Sequence, residues 1–196
     1  MSESAIRERL RLSAAAQERM ASAGAAAIDA AGRAMVQALA GGKSILVFGN
    51  GGSAADAQHF AAELVVRYET DRPARSAIAL TTDASILTAA GNDTGFDRVF
   101  ARQVDALGRP GDVALAITTS GTSPNVVKGI EAANARGLVT IALTGRDGGA
   151  AGQLAAIHVN VPEARTALAQ EVHTTVLHVW CELIDAAPEM ARGREM

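Results

Sequence analysis

Ser44-Ile45-Leu46-Val47-Phe48-Gly49-Asn50-Gly51-Gly52-Ser53-Ala54 changes character twice: an apolar, β-branched run gives way to glycines, and the glycines to helix formers continuing to about Arg67. A continuous apolar run too short for a helix, entered after Gly41-Gly42 and left at Gly49, predicts a strand buried on both faces. Strand, glycine loop and helix in that order are the first unit of a parallel α/β sheet. The unit recurs. Ile78-Ala79-Leu80 precedes a helix from about Ala84, residues 113–117 one from Pro124, residues 139–143 one over 148–154, and residues 157–161 a last helix from about Arg165. Strands alternating with helices imply an open parallel sheet covered on both faces, with ligands at the carboxyl ends of the strands.

Ahead of this pattern, residues 4–40 are alanine-rich and free of proline, with Ile28, Ala31, Met35 and Leu39 at helical spacing. They predict two helices. Alanine helices bury little surface per residue, so this segment needs other helices against it, from the same chain or from a neighbouring subunit. The chain therefore divides into a helical segment, 1–40, and one α/β domain, 41–196.

At 196 residues with a 48% hydrophobic and 20% charged composition, the chain can fill one core, and a disordered or fibrous protein is excluded. Its 18 basic and 21 acidic residues give a net charge of −3, which provides no field for a nucleic-acid backbone. Cys181 stands alone, so no intramolecular disulfide forms and the cytoplasm is the expected compartment. Uncharged runs are interrupted by glycine and polar residues, and Glu3, Arg7, Glu8, Arg9 and Arg11 mix signs where a signal peptide would be basic and then apolar. Neither a membrane partner nor export is expected.

Several loops and helices could carry chemistry. Gly49-Asn50-Gly51-Gly52-Ser53-Ala54 satisfies the dinucleotide pattern G-x-G-x-x-[G/A], with Glu69 or Asp71 near the place of a ribose-binding acid; it could equally be a tight turn, or a close approach for some other anion or polar ligand. Thr118-Thr119-Ser120-Gly121-Thr122-Ser123 opens the helix at Pro124, and its crowd of hydroxyls with helix-start amides makes a phosphate cradle without a basic side chain. Helix capping by Ser123 is expected as well, but needs only one hydroxyl. His59 and Glu63, four apart, share a helix face and could ligate a metal, pass a proton or form a surface pair. On the last helix, Gln170 and His178 are about 12 Å apart along an ideal axis. His173 has no distinguishing neighbourhood and is assigned to packing or surface; Leu177, Trp180 and Cys181 read as core or interface, and no cation flanks Cys181 to activate it.

Taken in order, residues 49–59, Asp71-Arg72-Pro73, Gly91-Asn92-Asp93, Thr119-Ser120-Gly121-Thr122-Ser123, Leu143-Thr144-Gly145 and Gln170-Glu171-Val172-His173 resemble the sugar isomerase (SIS) domain, and within it the phosphoheptose, or sedoheptulose 7-phosphate, isomerases. The resemblance covers nearly the whole chain. It implies an α/β three-layer flavodoxin-like sandwich with a central parallel sheet, and a homotetramer with active sites shared between subunits. In the family the hydroxyl loop, here Thr118, Thr119, Ser120 and Ser123, holds the sugar phosphate. Asn50, Gly51, Gly52, Ser53, Asn92 and Asp93 line the sugar, with Glu63 and Gln170 also at the substrate. The resemblance further places one zinc ion (Zn2+) per subunit on His59, Glu63, Gln170 and His178, and the acid/base pair on Glu63 and His178.

The implied reaction interconverts sedoheptulose 7-phosphate and D-glycero-D-manno-heptose 7-phosphate through an enediol. It needs one group for a carbon-bound proton and another for an oxygen-bound one. A carboxylate suits the first role, and an imidazole, with an ordinary pKa near 6.5, the second. Two positions depart from the family pattern: Thr118 stands where relatives usually carry serine, and the alanine-rich segment 163–169 lacks an aspartate and an isoleucine found in some relatives. Two other readings of the fold exist, a non-catalytic tetrameric scaffold for the replication initiator DnaA and a sugar-phosphate-sensing regulator. The scaffold group generally lacks the acid at Glu63 and the imidazole at His178, and both are present here.

Overall fold

In the computed structural model, which describes residues 2–191, the opening apolar run forms β1 (Ile45–Gly49), every residue of it buried. It pairs in parallel with β2 (Ala77–Ala79) on one side and β3 (Val113–Thr118) on the other, and β4 (Val139–Gly145) and β5 (Ile157–Val161) extend the sheet. The order is β2-β1-β3-β4-β5, all parallel. β2 is an edge strand of three residues whose middle residue, Ile78, faces out. Because the chain steps one way from β1 to β2 and the other way to β3, the loops leaving β1 and β3 diverge and open a crevice at the carboxyl edge, the usual ligand position in such sheets.

Side-chain alternation along the strands supplies two cores. Ile45, Val47, Leu115, Ile117, Ile141 and Leu143 face a layer made by α1 (Glu3–Ala23), α2 (Ala25–Ala40), α3 (Gly52–Val65) and α8 (Thr166–Ala186), where Met35, Phe60, Leu64 and Trp180 are buried. Leu46, Phe48, Ala114, Ala116 and Ala142 face α5 (Val99–Leu107), α6 (Pro124–Ala135) and α7 (Gly149–Leu154). The alanines on this second face leave room for Phe48 and Phe100, whose rings lie 5.2 Å apart. The result is the expected α/β three-layer sandwich. A short α9 (Pro188–Ala191) follows α8, and among the described residues no helix is long and apolar enough to cross a membrane.

Element edges differ from the sequence reading in instructive ways. Ser44 lies outside β1 because its amide donates to Asp112 Oδ1 (2.9 Å), and the strand runs on to Gly49. The helix expected from Ala84 is two: α4 (Ala84–Asp93) stops, Gly95 takes φ +91°, and a 3-10 turn at Phe96–Arg98 leads into α5. No residue of α4 is buried. The N-terminal helices divide at Gly24 and lie along α8: Trp180 Nε1 donates to the Ile28 carbonyl (2.9 Å), Ser13 Oγ to Glu171 (2.6 Å), and Arg9 pairs with Glu171. Intramolecular packing thus accounts for Ala16 and Met20, while Ile6 and Leu10 of α1 remain exposed.

Candidate active site

At the crevice, Gly51 adopts φ +57°, ψ −121°, a backbone region that only glycine enters readily, and this turn starts α3 directly after β1. The loop sits opposite the hydroxyl loop that follows β3. Asn50, Gly51, Gly52 and Ser53 on one rim, Thr118, Thr119, Ser120 and Ser123 on the other, and Thr166 and Gln170 from the start of α8 enclose a pocket of about 250 Å³. None of these lining side chains is charged. The two rims are clamped by Asn50 and Asn125, whose amides exchange a pair of 2.8 Å hydrogen bonds. Four of the loop's hydroxyls line the pocket, and Thr122 points to solvent.

Within that loop Ser120 Oγ lies 3.4 Å from both Thr118 Oγ1 and Ser123 Oγ, contacts long enough to leave the hydroxyls able to turn toward an anion. The Gly121 and Thr122 amides donate to Thr118 Oγ1 and Ser120 Oγ at 3.3 and 3.2 Å, holding the loop in its curl. Ser123 does occupy the N-cap position of α6 with Pro124 following, but its side chain makes no capping bond. The expected capping is therefore corrected: the hydroxyl turns toward Ser120, and the Ser123 carbonyl takes the Val126 and Val127 amides.

From the pocket a seam runs between α3 and α8, and the residues facing each other across it match turn by turn. At the first level the Gln170 amide lies against Gly52, where any Cβ would collide with it. At the second, Thr174 Oγ1 donates to Asp56 Oδ1 (3.2 Å), and Asp56 Oδ2 is buried without a partner. Burial pushes the Asp56 carboxyl above its ordinary range, against the opposing pull of Thr174 and His59. At the third, His178 Nε2 lies 3.4 Å from His59 Nε2, which is itself 3.1 Å from Glu63 Oε1. The imidazoles meet edge to face with centroids 5.0 Å apart, and the Tyr68 ring covers His178 from 5.5 Å. His59 and His178 are 119 positions apart in the chain, and the pairing of helices brings them together.

Other candidates separate from this seam. Asn92 and Asp93 end α4; their side chains bond each other (2.7 Å), and Asp93 lines a different, largely apolar pocket between α4 and α5. His173 is fully buried, and its Nε2 donates to the Thr144 carbonyl (3.0 Å) while burial pulls its pKa down to about 4, so it is a neutral packing residue. Cys181 is also buried, and desolvation with nearby Glu63 and Asp185 pushes its thiol up to about 12. Thr174, Asn125 and Tyr68 escaped the sequence reading, and Asp56 stood within the 49–59 pattern without a role. The signal for Asp56 and Thr174 was present, since both fall on the helical faces that also carry His59 and His178.

The donor set at the third level can be tested against a zinc ion. Ligands at 2.0–2.1 Å in a tetrahedron are about 3.3–3.4 Å from one another. The His59–Glu63 and His59–His178 spacings of 3.1 and 3.4 Å match two such edges. Among the described residues no three His, Cys, Asp or Glu side chains close around one point, and Gln170 makes no hydrogen bond to the three. The fit is one of donor chemistry and pairwise spacing.

Comparison with known proteins agrees with this architecture. Residues 10–145 match the SIS domain family model. A phosphoheptose isomerase of Solidesulfovibrio magneticus is 53% identical over 188 residues, 94% of this chain and 92% of that protein. The chain belongs to the phosphoheptose isomerases of the SIS-domain family. Among solved structures, that of the Neisseria gonorrhoeae phosphoheptose isomerase superimposes with a TM-score of 0.89 at 44% identity, covering 94% of this chain and 99% of that one. The Francisella tularensis enzyme gives 0.91 at 40% identity, covering 95% and 100%. Membership of the phosphoheptose isomerases sets aside the dinucleotide reading of residues 49–54: the glycines here serve the turn into α3 and the close approach of Gln170.

Proposed function

We propose that the protein interconverts sedoheptulose 7-phosphate and D-glycero-D-manno-heptose 7-phosphate, working in the cytoplasm as a homotetramer with one zinc ion per subunit. Family membership makes it an aldose–ketose isomerase acting on a sugar phosphate. The observation that carries the mechanism is the meeting of Glu63 and His178 on either side of His59.

Thr118, Thr119, Ser120 and Ser123 grip the phosphate, and Asn50, Gly51, Gly52, Ser53 and Gln170 orient the sugar along the seam. In the ketose-to-aldose direction Glu63 takes a proton from C1 while His178 donates one to the C2 carbonyl oxygen, leaving the enediol. Glu63 then returns its proton to C2 as the O1 proton passes to His178, which restores both groups. His59, Glu63 and His178, with Gln170 as the family pattern has it, would hold zinc, whose charge would polarise the substrate oxygens. Asn92 and Asp93 lie outside this chain's own pocket, on a helix with no buried residue beside the exposed Phe96. That supports their serving the site of a neighbouring subunit, with the exposed face of α1 as a further contact.

The DnaA scaffold and regulator alternatives are not favoured, because the acid and the imidazole are both present and the relatives named above are isomerases. Incubating the protein with sedoheptulose 7-phosphate should yield an aldoheptose phosphate, and a chelator should stop its formation. No product from well-folded protein would sink the reaction; turnover indifferent to chelation would sink the zinc. Light scattering should give four times the 20.1 kDa chain mass, and a monomer mass would overturn the shared site.

A further inference from the structure

Asp71-Arg72-Pro73 belongs to the family pattern, yet it lines neither the pocket nor the first three levels of the seam. Arg72 nonetheless has the densest set of polar contacts near the site. Its Nη2 donates to the Glu63 carbonyl (2.7 Å), its Nη1 to the carbonyls of Leu64 (2.7 Å) and Pro73 (3.2 Å), and its Nε to Asp185 Oδ1 (2.8 Å). Only 8% of the Arg72 side chain and 14% of the Asp185 side chain are exposed. The last carbonyls of a helix have no partner within it and are ordinarily left to water or a cap. At the end of α3, the Ala62 carbonyl takes the Val66 amide, Glu63 takes Arg72, and Leu64 takes both Arg72 and the Arg75 amide. A planar guanidinium suits this task, since it can serve two carbonyls and a carboxylate at once and its charge complements the helix end.

The contact to Asp185 ties this cap to α8. His178, Cys181 and Asp185 follow one another on a single face of α8, two helical turns from the imidazole to the carboxylate. Cys181 lies buried among Glu63, Arg72 and Asp185, all of which act on its thiol. The seam between α3 and α8 therefore closes with Arg72–Asp185 beyond the imidazoles, as it opens with Gly52–Gln170 at the pocket.

We propose that Arg72, anchored on Asp185, is a positioning residue that sets where Glu63 stands relative to His178. The proposal rests on the isomerase reading above. The guanidinium acts on the backbone of the residue whose carboxylate moves the proton, so its loss shifts Glu63 without touching the phosphate pocket.

Arg72→Lys keeps the charge and loses the fork; Asp185→Asn keeps shape and loses the charge. With sedoheptulose 7-phosphate as substrate, Arg72→Lys should lower kcat about tenfold and Asp185→Asn about threefold, both with KM within about twofold, as for a small misplacement of a reacting group. The double variant should be no worse than Arg72→Lys, because both changes break one tie. Amide hydrogen exchange over residues 60–66 should quicken in Arg72→Lys. A tie that serves stability alone would lower the melting temperature and leave kcat unchanged, and that result overturns the proposal, as would a rise in KM with kcat held or effects that multiply in the double variant. If Arg72→Lys does not fold, Asp185→Asn decides by the same kcat and KM criteria. An inactive wild type would strike the isomerase reading, whereas unaltered exchange at the end of α3 in folded Arg72→Lys would strike the cap itself.

Discussion

The two ends of the active-site seam are built by different means. The end proposed to hold the phosphate is made of two loops, residues 50–53 and 118–123, each placed by the strand it leaves and lined by neutral side chains. The imidazole end is made of side chains on two helices that meet only because α3 and α8 share a core with Phe60, Leu64 and Trp180. A loop held by its strand and an asparagine clamp can lose one hydroxyl and keep its shape. The proposed proton-transfer pair depends on a helix separation set by a shared core, with the Arg72–Asp185 tie at its far end. The phosphate end should therefore govern affinity, and the imidazole end turnover.

The largest expected effect tests the turnover half. Glu63→Gln preserves shape and removes the base, and kcat should fall by ~10³, within the range for loss of general base catalysis, with KM and melting temperature little changed. Wild-type turnover would break the contrast between the two ends. At the phosphate end, Ser120→Ala should raise KM by about tenfold with kcat nearly constant, the size expected for one hydrogen bond to a charged group. A fall in kcat at constant KM would mean that the loop also takes part in the chemical step.

The smallest expected effect on activity comes from His173, buried where α8 meets the end of β4. Its folded pKa, about 4, lies below the ordinary 6.5, so the unfolded chain binds the extra proton first as pH falls. Stability from the neutral imidazole is complete above pH ~6.5 and is lost progressively toward pH ~4, by roughly 3 kcal/mol in all. His173→Gln, which keeps a donor for the Thr144 carbonyl and does not titrate, should flatten the fall in urea midpoint between those pH values while kcat at pH 8 stays near wild type. Equal pH slopes in the two proteins would remove His173 from the acid sensitivity of the fold.

The sheet was legible because its evidence is local. Buried parallel strands are continuous apolar runs, and each of the five stood between glycines or polar turns that marked its ends within a residue or two. The hydroxyl pocket was legible for the same reason, since consecutive residues at a strand end must share one place. The break between α4 and α5 was missed although Gly95 stands at it, because a helical spacing of apolar residues resumes beyond the turn.

Amino-acid order by itself determined the parallel α/β class, the two loops that line the pocket and the shared helix face of His59 and Glu63, all of which follow from short-range periodicity and backbone geometry. Tertiary structure alone decided that Gln170, Thr174, His178 and Asp185 of α8 stand opposite Gly52, Asp56, His59 and Arg72, and that Ser123 turns from its helix into the pocket. Those pairings depend on the register of one helix against another, which is set by apolar side chains packing in the core between them and leaves no pattern among the polar residues that it aligns.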